Sequence, residues 1–182
     1  MLTRRDFLKV TAIGGAFASI GSMHEAKAVV KPALPDEAFA YESGRKIPLI
    51  EETDIVVVGG SARAVAAAVA AAKSGSQVYL VCDLPYLGEE VCASHLYERE
   101  KDEELQTTLA RRIFQSASIP TPMAVKKTLE DALIDNGVKF LYSSYATNVL
   151  VDAAGEAAGV VIANRSGREA IRCKAIIDAT HE

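Results

Sequence analysis

The chain has 182 residues, 49% of them hydrophobic and 24% charged, with no tryptophan and a formal charge of −4. That composition suits a globular chain of at most one full domain plus appendages, and its acidic balance argues against nucleic acid, whose phosphates need a basic face. Three widely spaced cysteines (Cys82, Cys92, Cys173) form no C-x-x-C pair, so they read as buried thiols rather than a disulfide framework or a metal knuckle.

Residues 3–9 read Thr-Arg-Arg-Asp-Phe-Leu-Lys, the apolar run VTAIGGAFASIG follows, and Ala26-Lys27-Ala28 closes the segment. A charged start, a short apolar middle and a small-residue cleavage pattern are the three parts of an export signal. A chance basic terminus ahead of a buried helix is the alternative. The apolar run is too short for a stable membrane span, which needs about 20 residues. The paired arginines resemble a twin-arginine signal. That implies engagement of the twin-arginine export machinery through residues 3–9 and an exported protein, periplasmic or extracellular, in a bacterium. Residues 1–28 are read as this signal. Residues 29–52 hold three prolines and no sustained period, and are read as a linker.

From residue 53 the pattern changes. Ile55–Val58 is a continuous apolar run, as expected of a parallel strand buried on both faces. Residues 62–73 are nearly all alanine and valine, a slim helix able to pack close to a sheet. Gly75 is placed to cap it in the left-handed region, and QVYLV follows as a second strand.

The turn between strand and helix reads Gly59-Gly60-Ser61-Ala62-Arg63-Ala64, with two of the three glycines of G-x-G-x-x-G replaced. Each fingerprint position has its own task. Gly59 makes the tight turn. Ser61 stands where backbone approaches a pyrophosphate, and its hydroxyl can donate to a phosphate oxygen. Ala64 is a tolerated small residue where the helix nears the strand. Helix N–H groups and dipole favour an anion here, and Arg63 adds positive charge. A ligand-free β-turn-α unit is the plain alternative. The acid that binds a ribose ends the second strand in such units. Gapless counting puts Cys82 in that slot; Asp83, one residue later, either reaches the ribose or is a solvated turn residue.

The stretch EREKDEELQTTLARRIFQ reads as a charged surface helix with Leu105, Leu109 and Ile113 on one side. Thr121-Pro122 is an N-cap followed by proline at the first helical position. Val125, Leu129 and Leu133 then form one apolar stripe that ends at Gly137. VKFLYS is a strand, which makes a second βαβ crossover. Turn signals at Ala154-Gly155 and Ser166-Gly167 divide the remaining β-rich runs into a meander. His95, Tyr97 and Glu98 offer polar groups, but none stands out as catalytic.

Together with the loop DLPYLGEEVC, these segments resemble flavin-dependent oxidoreductases of the glutathione-reductase-like superfamily, in particular exported ones with a twin-arginine leader. TPMAVKKTLEDALIDNGVKFLYSSYATNVLVD is similar to that family's helix and the adenine-lining strand after it. GEAAGVVIANRSGREAIRCKAIIDAT is similar to its meander and return strand. The resemblance covers roughly residues 53–182. It implies an α/β fold: a Rossmann-like parallel sheet with a βαβ FAD-binding unit and an inserted antiparallel β-meander. FAD is the implied cofactor, with a small-molecule substrate or electron acceptor as partner.

By the same resemblance, Gly59, Gly60, Ser61, Ala62, Arg63 and Ala64 cradle the pyrophosphate, while Cys82 and Asp83 occupy the ribose slot. Leu87, Gly88 and Glu89 run beside the flavin's phosphate and ribityl end. Ala146 offers backbone groups to the adenine, and Asp178, Ala179 and Thr180 close the site. The family's substrate domain would follow residue 182. Residues 53–182 are therefore read as an incomplete FAD-binding domain of a longer enzyme, inactive alone. An NAD dehydrogenase would share the first βαβ unit but not YLGEE or AIIDAT. A degenerate nucleotide-binding domain that folds without flavin is the other reading.

Overall fold

A computed structural model describes residues 46–93, 105, 107–115 and 120–180, all within one unit, Gly44–Glu182. The signal segment 1–28, most of the linker, and His95, Tyr97 and Glu98 lie outside the described residues.

In chain order the elements are β1 (Leu49–Glu52), β2 (Ile55–Val58), α1 (Ala62–Lys73), β3 (Val78–Val81), α2 (Glu89–Cys92) and α3 (Thr108–Ile113). There follow α4 (Pro122–Asp135), β4 (Lys139–Leu141), β5 (Tyr145–Val151), β6 (Ala157–Asn164), β7 (Gly167–Arg172) and β8 (Ala175–Asp178). One sheet has the order β4-β3-β2-β8 and is parallel throughout. The other has the order β1-β7-β6-β5, with β5, β6 and β7 antiparallel.

Period-2 side-chain direction builds two cores on the parallel sheet. Val57, Val78 and Leu80 face α1 and α4, where Ala64, Val65, Ala68, Val125, Leu129 and Leu133 meet them. Val56 and Val81 point the other way, onto Val160 and Ile162 of β6 and Ile171 of β7. The unbroken apolar run of β2 thus serves both faces at once.

The helices begin and end as their sequences dictate. Ser61 Oγ caps α1 by accepting from Ala64 N–H at 3.1 Å, and Thr121 Oγ1 caps α4 from Ala124 N–H at 3.2 Å. Past the C-termini, Gly75 and Gly137 take φ of +93° and +67°, values that cost a glycine no Cβ clash. On α4 the stripe Val125, Leu129 and Leu133 is fully buried. In the charged stretch before it, α3 buries Ile113, while Leu109 and Phe114 pack on the same core, so α3 is more than a surface helix.

Residues 49–52, read from sequence as the end of a linker, form β1, which pairs in parallel with β7. The cause is tertiary. The edge of β7 offers backbone groups, and Ala170 N–H donates to Pro48 O at 2.8 Å while Thr53 N–H donates to Arg172 O at 3.0 Å. Among the described residues no helix is long and apolar enough to cross a membrane.

Candidate functional site

Because β2, β3 and β8 run parallel, their carboxyl ends open onto one edge, and the loops that leave them meet at the first turn of α1. Gly59 follows β2 with φ of +129°, and a Cβ there would stand 2.5 Å from Ala179 O. Only a glycine lets the loop after β2 and the loop after β8 approach so closely. Gly59 N–H donates to Val81 O and Ala179 N–H to Val58 O, both at 2.8 Å, which ties the three strand ends together. Gly60 is held as tightly. A side chain there would collide with Cys82 Sγ, and its carbonyl accepts from Gly88 N–H at 2.7 Å.

These loops enclose a pocket of about 280 Å³ lined by Gly59, Gly60, Ser61, Asp83, Leu84, Glu89, Ala179 and Thr180. A second hollow of about 400 Å³ lies between the end of β8 and the meander, and Ala146, Asn148, Asp178 and Thr180 are among its walls. Thr180 borders both. The Asp178 carboxylate accepts from Thr180 N–H at 3.0 Å and from the Thr180 hydroxyl at 2.7 Å; these bonds hold it below the usual carboxylate range.

The remaining residues picked out from sequence are placed differently. Ser61 is buried, and its oxygen accepts from the helix, which leaves the hydroxyl proton to donate elsewhere. Ala62 N–H donates to Glu90 Oε1 at 2.6 Å. Arg63 is exposed on α1, and Ala64 is fully buried.

Cys82 turns inward. It is fully buried, its thiol donates to Tyr86 O at 3.4 Å, and burial pushes it up to about 11. A buried neutral thiol cannot take the part of an acid on a ribose, whereas exposed Asp83 stands on the pocket wall. Leu87 is fully buried in the core. Gly88 has φ of +79°, and a Cβ there would stand 2.7 Å from Leu129 Cδ1, so the loop sits directly on α4.

Leu84, Asn148 and Glu90 were not singled out from the sequence. The signal for Glu90 was in plain view as the second acid of YLGEE, but its partner Ala62 is 28 residues away. Among the described residues, no cluster of three or more His, Cys, Asp or Glu is placed to hold a metal. The edge brings the Ser61 hydroxyl and the positive end of the α1 dipole to the pocket, a surface suited to a phosphate-bearing ligand.

Residues 54–182 match the family model of the FAD dependent oxidoreductases. The chain belongs to that family. FAD is its cofactor. The close approach at Gly59 and the pocket beside Ser61 fit the family's diphosphate-bearing cofactor.

Solved structures share the fold. THI4 from Thermovibrio ammonificans is 18% identical with a TM-score of 0.53, the match covering 71% of this chain and 57% of that one. A geranylgeranyl bacteriochlorophyll reductase-like protein from Thermoplasma acidophilum is 19% identical with a TM-score of 0.53, covering 71% of this chain and 39% of that one. L-proline dehydrogenase from P. horikoshii is 17% identical with a TM-score of 0.50, covering 75% and 24%. The chain thus spans little more than half the length of the first and less of the others. No curated protein matches it.

Proposed function

We propose that this chain supplies the ADP- and pyrophosphate-binding half of an FAD-dependent oxidoreductase that acts on a small molecule or electron acceptor. The observation that carries the reading is the Gly59–Ala179 approach, beside which a pocket of about 280 Å³ reaches Ser61, the N-cap of α1. Backbone N–H groups of that turn hold the pyrophosphate, with the Ser61 hydroxyl as an added donor. Asp83 reaches the ribose from the pocket wall, and the adenine lies in the hollow beside Ala146. FAD, when bound, supplies the redox chemistry; the protein's share is binding, orientation and exclusion of water.

Two observations favour the degenerate domain as a second reading. A buried thiol occupies the strand-end slot for the ribose acid, and a carboxylate already engages Ala62 N–H. Titration of the purified chain with FAD, read by quenching of flavin fluorescence, separates the two. The FAD reading expects saturable uptake and a yellow protein. A chain that stays colourless and binds neither FAD nor ADP would overturn it.

A further inference from the structure

We propose that Glu90 is an internal stand-in for the cofactor's pyrophosphate: its carboxylate takes the Ala62 N–H until FAD displaces it. This rests on the reading of the α1 turn as the FAD pyrophosphate site. An α-helix leaves its first N–H groups without intrahelical partners. On α1, Ala64 N–H goes to the Ser61 hydroxyl and Ala62 N–H to Glu90 Oε1 at 2.6 Å. A carboxylate in that position meets the positive end of the helix dipole and makes a short, charge-assisted bond. A phosphate oxygen arriving at the same turn needs the same donor, and two anions side by side repel. Glu90 and a pyrophosphate are therefore alternatives.

The local backbone delivers the carboxylate to that point. Gly88, at φ of +79°, starts the single turn α2 that carries Glu90. Gly88 N–H is tied to Gly60 O at 2.7 Å, and Cys92 N–H closes the turn on Gly88 O at 2.8 Å. The loop over the glycine turn thus brings Glu90 to α1, while its neighbour Glu89 lines the pocket. Loading exchanges one hydrogen bond at Ala62 for another. The Glu90 side chain rotates away, and the Ala62 N–H keeps a partner in both states.

The test is titration of the full chain, and of its Glu90→Ala and Glu90→Gln variants, with ADP and with FAD. ADP carries the pyrophosphate without the flavin. Glu90→Ala is expected to bind both about tenfold tighter than the parent. Glu90→Gln, which keeps an acceptor but loses the charge, falls between the two and preserves the fold should the alanine variant not fold. Without ligand, Glu90→Ala melts below the parent, yet its upward shift on adding ADP is larger, a pairing that a purely structural role would not produce. If the parent binds ADP and both variants bind it equally or more weakly, the stand-in role is overturned and the FAD reading survives. If neither parent nor variants bind ADP or FAD, the FAD reading falls and the proposal with it.

Discussion

At Gly59 the requirement for glycine is doubled, since φ is +129° and a Cβ would press on Ala179 O at 2.5 Å. Gly59→Ala is expected to lose about 1–3 kcal/mol from backbone strain alone, and more from separating the loops after β2 and β8. A urea denaturation midpoint measures the stability loss, and ADP titration of the same variant should show lost binding. Cys82 sets a pH dependence. Burial raises its thiol from the ordinary 9.0 to about 11, so above pH 9 the unfolded chain sheds a proton that the native chain retains. Its contribution is fully present below about pH 9 and is lost as pH rises towards 11. Burial moves Cys92 and Cys173 in the same direction. Denaturation midpoints should therefore hold nearly level from pH 8 to 9 and fall by pH 10.5, and Cys82→Ala should reduce that fall. The identity of both residues was legible in the sequence. The direction in which Cys82 points was not, because the packing of residues 83–88 over the glycine turn sets it.

Among the elements, α4 links core and site. Leu129 is fully buried, and its Cδ1 marks the spot a Cβ on Gly88 would strike. Leu129→Ala is expected to cost about 2–5 kcal/mol and also to loosen the loop above it. Lower thermal stability with weakened ADP binding would show both effects, whereas unchanged binding would separate loop from helix. The apolar stripe of α4, its threonine cap and its closing glycine were all readable, because each is a local rule about residues within one helix. For β1 no such rule exists. Its four residues, LIEE, follow a proline and acquire their partners from β7, about 120 residues further on.

At the scale of the molecule, the candidate site takes its shape from parallel strands that end on the same edge. Loops after β2, β3 and β8 come from residues 59, 82 and 179, which no spacing in the chain relates. A ligand that bridges them binds only the folded form. ADP at a hundredfold excess over its Kd should therefore stabilise the chain by about 2.7 kcal/mol, visible as a higher melting temperature. An unmoved melting curve at saturating ADP would mean that the three loops do not form one site.

The sequence by itself determined the βαβ frame, the two capped helices, the meander and the family, since apolar period, turn glycines and caps act over a few residues. Only the tertiary structure decided that Asp83 rather than Cys82 faces the pocket, that residues 49–52 are a strand, and that Glu90 meets the N-terminus of α1. Each of these depends on a contact between segments brought together by sheet order, and chain distance holds no record of such contacts.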